Sequence, residues 1–455
     1  MIRHLPGFRE FYPDECAKRN HLFRKWREVA RLHQFVEYDA PALEPLELYT
    51  EKSGDEIVEQ LFHFTDKGGR EVALRPEMTP SLARMVGACA NSLKRPVKWF
   101  SIGENYRYER QQKGRLRAFY QFNADIIGEH SPHADAACIA LAIDGFEVFG
   151  LGSADIRVRL SDRLLWSAWF RQIGVPEDKV MAVLRVVDKM ERLKPEAAHH
   201  ALREAIEEDS EATLSTNQLI EAIESLKAVK DLSSLKDLFA GQSSPIQESA
   251  TERISAMEQL LSALESFGLE DYVQLDMGIV RGLAYYTGFV FEVFSLEPGE
   301  RALAGGGRYD HLLQKMGGPD LPAVGFAIGD VTLHDLLERK KRSPQYVSKP
   351  DVYLVMLGEQ ARNTAYPYCG ILRRAGYSLE YPIGRLPQAG KQLKAADQVG
   401  ASLAIIFGDE EIAQGTVKLR DLRAREEKTV PSASLLHSLR QFYEKGELTE
   451  TAASS

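Results

Sequence analysis

A chain of 455 residues, 44% hydrophobic and 27% charged, with 34 Gly and 20 Pro, has ordinary globular proportions. About three domains is the soft expectation, and collagen-like, disordered and disulfide-scaffold classes are excluded. The formal net charge of −9 excludes a generally basic nucleic-acid binder but leaves room for a local basic patch. Cys16, Cys89, Cys138 and Cys369 lie far apart, with no CxxC and no metal-ligand spacing, and read as buried thiols in a reducing compartment. The N-terminus lacks the apolar core of a signal peptide. The longest apolar stretch, near residues 136–152, is broken by Asp144 and Glu147 and is too short and polar to span a membrane. A soluble cytoplasmic protein without membrane attachment is expected.

In chain order, residues 16–33 carry Leu22, Phe23, Trp26, Val29, Ala30 and Leu32 at helical spacing, with Asp14 as the expected N-cap. Residues 97–109 and 118–128 read as strands joined by Arg-Gln-Gln-Lys-Gly-Arg-Leu-Arg at 110–117. From about Ser161 to Leu269 glycine is scarce and charge dense, as in 204–211, so this stretch reads as an all-helical insert, with His199-His200 a surface pair. Strand patterns return at 273–278 and 288–294, and a glycine-rich turn is expected at 305–307. Residues 338–350 read as a basic linker. Beyond it, strands at 351–357, 378–381 and 403–407 alternate with helices at 361–375 and 386–399, the pattern of a small α/β domain with a mostly parallel sheet. Residues 447–455 read as a disordered tail.

The hairpin around residue 113 carries the most chemistry. Strand side chains alternate faces, which places Asn105, Arg107 and Glu109 with Gln121, Asn123 and Asp125 on one face. Tyr106, Tyr108, Tyr120, Phe122, Ala124 and Ile126 take the other. Donors and acceptors in that mixture suit a small polar ligand better than a solvated sheet face does. Arg110, Lys113, Arg115 and Arg117 around Gly114 suit phosphates, from a nucleotide, an RNA backbone, or both; a solvated basic turn is the plain alternative. Arg75-Pro76-Glu77-Met78-Thr79-Pro80 is a rigid turn bearing a carboxylate and a hydroxyl. Arg281 precedes the pair Tyr285-Tyr286, one of which is expected to be packing. Gly305-Gly306-Gly307-Arg308-Tyr309-Asp310 permits close backbone approach but lacks the lysine of a P-loop. No hydrolase triad and no metal site is recognisable, so positioned charge is the expected chemistry.

Taken in order, these segments resemble histidyl-tRNA synthetase, a class II aminoacyl-tRNA synthetase family. The resemblance begins at residues 5–13, Leu-Pro-Gly-Phe-Arg-Glu-Phe-Tyr-Pro, and continues through Tyr38-Asp39-Ala40-Pro41, which looks like the class II dimer motif. It then takes in residues 74–80, the hairpin 106–128 as the second class motif, 281–286 and 305–310 as the two histidine motifs, and a C-terminal region containing 400–409. It implies an α+β class II synthetase core, an antiparallel sheet with helices, carrying a helical insert and a C-terminal α/β anticodon-binding domain. The boundaries it implies are 1–160 and 271–337 for the core, 161–270 for the insert, 338–350 for the linker, 351–446 for the anticodon-binding domain and 447–455 for the tail.

The resemblance further implies ATP-dependent ligation of L-histidine to tRNA(His) through a histidyl-adenylate, by a homodimer using ATP with Mg2+. Glu77, Thr79, Gln121, Asp125 and Tyr286 would surround histidine, with Tyr285 nearby. Arg107 would meet the ATP α-phosphate, Glu109 and Arg115 would help hold the nucleotide, and Arg281 would neutralise charge during adenylate formation. Arg110, Lys113 and Arg117 would meet the tRNA acceptor end. Two positions depart from the family pattern. Ala284 replaces a frequent Asp, and Thr332 stands where the third class motif usually carries an arginine for the γ-phosphate. Mg2+, Arg115 and Arg84 are the substitutes considered for that arginine. The rival reading is a non-catalytic histidine-binding regulatory subunit of ATP phosphoribosyltransferase; such paralogues typically lack an anticodon-binding domain. A histidine-sensing domain of a larger assembly ranks below both.

Overall fold

The computed structural model describes residues 2–50, 58–110, 112, 114–190, 193–206, 215–240, 245–280, 285–297, 301–344 and 349–450. The chain divides into two units, Met1–Gln345 and Tyr346–Ser455. The first is built on an eight-stranded sheet whose strands are, in chain order, β1 (Val36–Glu37), β2 (Val97–Tyr106), β3 (Ala118–Ile127), β4 (Ile156–Asp162), β5 (Val273–Leu275), β6 (Phe289–Ser295), β7 (Ala302–Arg308) and β8 (Ala323–Gly329). Their order across the sheet is β1-β2-β3-β8-β7-β6-β4-β5. β1 joins β2 and β5 joins β4 in parallel; the inner pairings are antiparallel. A three-stranded sheet of residues 43–45, 62–65 and 71–74 stands beside it.

Register explains the division of labour between faces. Gly103 lies opposite Gln121, Ser101 opposite Asn123 and Trp99 opposite Asp125, so the polar parity of both strands falls on one side. Phe100, Phe122, Ala124 and Ile126 take the other side and are buried. Helices α1 (Pro13–Leu32), α2 (Thr79–Cys89) and α3 (Pro132–Glu147) flank the sheet. Trp26 of α1 stacks on Phe122 with ring centroids 5.5 Å apart. Burial of each large apolar side chain of this kind contributes roughly 1.5–3 kcal/mol. α3 is buried almost all round, which is why its sequence reads as one long apolar stretch. Among the described residues no helix is long and apolar enough to cross a membrane.

Between β4 and β5 run α4 (Arg163–Gln172), α5 (Glu177–Met190), α6 (Pro195–Ile206), α7 (Thr216–Lys227), α8 (Leu232–Phe239) and α9 (Pro245–Ser266). α9 packs on α3 and α4, and Trp166, Leu260, Ile139 and Phe122 belong to one continuous core. The helical insert therefore shares the interior of the sheet domain. Asp162, the last residue of β4, caps α4 by accepting from Leu165 N at 2.9 Å.

Several local expectations are corrected. α1 begins at Pro13 after Tyr12, so Asp14 is inside the first turn and not its cap; proline is preorganised for that position and the acidic residues complement the helix dipole. β2 ends at Tyr106 and not at residue 109, because Arg107 N turns to Arg117 O and Tyr108 N to Gln60 O. Gly305–Gly307 is no turn but the middle of β7. A Cβ on Gly306 would lie 2.4 Å from the Gly325 carbonyl oxygen, and one on Gly307 2.7 Å from the Phe289 carbonyl oxygen. The glycines let neighbouring backbone and aromatic rings close over the strand.

The second unit contains β9 (Val352–Met356), β10 (Leu379–Glu380), β11 (Leu403–Phe407), β12 (Thr416–Asp421) and β13 (Glu427–Pro431), in the order β10-β9-β11-β12-β13. The βαβ half is parallel, crossed by the helices α11 (Glu359–Arg374) and α12 (Ala389–Gln398). β12 and β13 return antiparallel, so the sheet is mixed, not mostly parallel. Their signal was the alternation Val417, Leu419 around polar neighbours, closed by Asp421 accepting from Arg423 N and Ala424 N. The last helix, α13 (Leu435–Glu450), runs into the stretch expected to be a disordered tail; residues 451–455, like linker residues 345–348, lie outside the described residues.

The clash at Gly306 involves backbone on the facing strand, which cannot swing aside as a side chain would. Gly306→Ala should therefore destabilise the first unit by about 2 kcal/mol or more, seen as an earlier midpoint in urea unfolding. An unchanged midpoint would mean that β7 and β8 can separate at no cost.

Candidate active site

The polar face of β3 floors a small cavity. Gln121, Asn123 and Asp125 rise from β3; Glu77 and Thr79 come from the turn that opens α2; Tyr285 and Tyr286 come from the segment ahead of β6. Arg107 enters from the end of β2, and Gly305 and Gly325 lower the walls contributed by β7 and β8. Eight residues singled out in three distant segments of sequence thus line one space.

The turn is held by Arg75, which is buried. Its guanidinium donates to Glu104 O at 2.9 Å and Ala40 O at 2.5 Å, and its own N–H reaches Ala42 O at 2.9 Å. Glu77, fixed by this brace, accepts the Tyr285 hydroxyl at 2.9 Å. Burial first, and then the Glu77 charge, push the Tyr285 phenol well above its ordinary value, so it remains a donor. The Tyr285 and Tyr286 rings lie 5.0 Å apart, and both tyrosines line the cavity, so neither is mere packing.

At the floor, Asp125 is buried. The Tyr309 hydroxyl donates to its Oδ1 at 2.6 Å. Burial pushes the Asp125 carboxyl up to about 7, against the lowering effect of that hydrogen bond. Gly325 faces Asp125 across the β3–β8 pairing, and a Cβ there would lie 1.8 Å from Asp125 Oδ1. The carboxylate occupies the space that this glycine leaves open. Tyr309 and Gly325 were not marked as site residues from sequence. They meet Asp125 only through strand pairing across about two hundred residues, and no local pattern announces such a partner.

Arg107 is set by its Nε donating to Pro76 O at 3.0 Å and lies over the Phe119 ring at 5.4 Å. Glu109 and Arg115 do not line the cavity; they pair with each other at 2.8 Å on the adjoining loop. Arg110 is exposed, and Arg117 stacks over Tyr108 at 4.2 Å while its backbone N–H donates to Gly7 O. Arg84 pairs with Glu44 at 2.6 Å on α2 and does not line the cavity. Arg281, Ala284 and Lys113 lie outside the described residues. Two buried carboxylates, several hydroxyl and amide groups and one guanidinium at the side suit a ligand with donor groups at both ends and an anion next to it. Among the described residues no cluster of three or more His, Cys, Asp or Glu could hold a metal ion.

A family model for histidyl-tRNA synthetase matches residues 7–332, and one for an anticodon binding domain matches residues 351–442. The chain is 51% identical over 439 residues to histidine–tRNA ligase of Opitutus terrae, covering 96% of this chain and 98% of that protein. It is 38% identical over 436 residues to histidine–tRNA ligase of Halobacterium salinarum, covering 95% and 97%. Among solved structures, histidyl-tRNA synthetase from a Nostoc species shares the fold, with a TM-score of 0.75 at 23% identity over 97% of this chain and 99% of that one.

Asp125 has a consequence for stability. With its folded value near 7 and an ordinary value of 3.8, the native state holds a proton between those limits that the unfolded chain has released. Stability contributed below pH 4 is thus lost as the pH rises towards 7. Asp125→Asn removes this loss, so the variant should be the more stable protein above pH 7, by on the order of a few kcal/mol, with the gap closing towards pH 4. Urea unfolding at pH 5 and pH 8 measures it; a gap independent of pH would contradict the buried, protonatable carboxyl.

Proposed function

The chain belongs to the histidyl-tRNA synthetase family, and from that premise we propose that it joins L-histidine to tRNA(His) with ATP, by way of a histidyl-adenylate. The observation that carries this reading is the pair of buried carboxylates lining one small cavity, Glu77 accepting from Tyr285 and Asp125 accepting from Tyr309. Glu77, with Thr79 and Gln121, suits the α-amino group; Asp125 suits an imidazole N–H. Tyr286, with Tyr285 beside it, closes the side of the pocket. The carboxylate of the bound amino acid is then left to point towards Arg107.

In the first step a histidine carboxylate oxygen attacks the α-phosphorus of ATP, the bond to the bridging oxygen breaks, and pyrophosphate leaves. Arg107 neutralises charge at the α-phosphate; Arg281, four residues before the tyrosine pair in sequence, is assigned the same task. Glu109 and Arg115 hold the nucleotide, exchanging their mutual ion pair for contacts to it. In the second step a terminal ribose hydroxyl of the tRNA attacks the carbonyl carbon and AMP leaves. Arg110, Lys113 and Arg117 are assigned to the acceptor end, and the second unit, which matches an anticodon-binding domain, to the anticodon. Magnesium suits the triphosphate rather than a protein cage, since it keeps most of its water and is commonly held through substrate phosphates. The anticodon-domain match also speaks against the regulatory-subunit reading. Four free cysteines, two of them buried, suit a reducing cytoplasm. Exposed Leu32, Val36 and Leu43 near the Tyr38–Pro41 segment suit a two-fold dimer.

The protein should catalyse histidine-dependent exchange of pyrophosphate into ATP and charge tRNA(His). Arg281→Ala should retain histidine binding while losing exchange by about 10²–10³-fold; near-normal exchange would remove Arg281 from the mechanism. Light scattering at micromolar concentration should give twice the chain mass, and a monomeric mass would end the dimer assignment.

A further inference from the structure

We propose that Arg301 grips the terminal phosphate of ATP, at the place where Thr332 offers only a neutral hydroxyl. The inference rests on the ligase reading and concerns how that site holds a triphosphate. The register of β7 with β8 sets Ala304 opposite Ile328. Arg301 immediately precedes β7, and Thr332 lies in the first turn of α10 (Asp330–Arg339), the helix that follows β8. The loop from the β2–β3 hairpin arrives at the same point. A Cβ on Gly114 would lie 3.3 Å from Thr332 Cγ2 and 3.7 Å from Arg301 Cδ. Arg301 Nη2 donates to Gln112 Oε1, and Arg115 N donates to Gln112 O at 2.9 Å, closing the loop tip.

Two guanidiniums are therefore carried close to Thr332, that of Arg115 on the loop and that of Arg301 ahead of β7. A triphosphate whose α-phosphate lies at Arg107 needs cationic partners for its far end, and a threonine hydroxyl cannot supply the two parallel N–H donors of a guanidinium. Arg84 is held by Glu44 on α2. Arg301, at a strand end next to Thr332, is placed to supply that fork, and Arg115 closes on the same phosphate from the loop.

The test compares ligands with and without a terminal phosphate on the full chain. Calorimetry with ATP and with a non-hydrolysable histidyl-adenylate analogue separates the two. Arg301→Ala should weaken ATP about tenfold or more and leave the adenylate analogue unchanged, with the ATP KM in exchange rising in step and the histidine KM constant. Arg301→Lys should recover part of the loss and Arg301→Gln none. Gln112→Ala, which removes the loop contact but keeps the cation, should leave ATP binding unchanged. The proposal is overturned if Arg301→Ala leaves ATP binding intact, if it weakens both ligands equally, or if Gln112→Ala reproduces it. An unaltered protein that binds neither ligand would overturn the ligase reading and this proposal together.

Discussion

A buried carboxylate, Asp125, is the constraint around which the site is arranged. An ionised group removed from water must be neutralised, hydrogen-bonded or protonated. Here burial drives it towards protonation, and the Tyr309 hydroxyl stabilises the charged form only in part. The arrangement then reaches outward. Gly325 must lack a side chain because the carboxylate occupies that volume. Gly306 and Gly307 must let β7 lie close against its neighbours so that Tyr309, just beyond the strand, can reach across. A folded protein retains such a group only where the surrounding packing fixes it and the unfavourable charge has a use. In the proposed function, the imidazole N–H of histidine supplies that use.

The remaining charges inside the first unit act as fasteners between segments distant in sequence. Arg308 pairs with Asp135 at the start of α3 and donates to Glu129 O at 3.0 Å, fixing the end of β7 next to Tyr309. Asp330 accepts from Arg9 at 2.7 Å and from Tyr120 N at 2.8 Å, joining the N-terminal segment, β3 and α10. Arg75 ties the Asp39–Ala42 stretch to β2. Losing one partner of such a pair leaves a buried charge uncompensated, which costs more than the pair itself contributes. These contacts hold the pocket walls in register without entering the pocket.

Much of this was legible in the sequence because it is local. Alternation between residues 97 and 127 placed the polar face correctly, since side-chain parity is a property of a single strand. The proline-bracketed turn at 75–80 and the tyrosine pair were visible as motifs. What the sequence concealed was produced by pairing between distant strands. The glycine triplet looked like a turn because its reason, the Gly325 carbonyl and the rings of Phe291 and Tyr286, lies on other segments. Tyr309 was part of a recognised motif, yet its contact with Asp125 depends on β8 lying between β3 and β7. The last hairpin of the second unit was missed although it alternates, because its outer strand buries only Val430 and otherwise reads as a polar loop.

The division between carboxylates and guanidiniums follows from what each must do. Glu77 and Asp125 are buried; in the proposed function that suits discrimination between small amino acids, which depends on polar groups that a wrong ligand leaves unpaired. Arg115 and Arg301 sit at a loop and at a strand end, paired with Glu109 and Gln112; in the proposed function they exchange those partners for an arriving phosphate. Deep burial of those cations would demand permanent partners and would make product release slow. Arg107 lies at the boundary, held by Pro76 O on one side and open to the cavity on the other. That position is where an amino-acid carboxylate and a nucleotide phosphate would have to meet, so the transition from rigid to exchangeable charge coincides with the atoms that react.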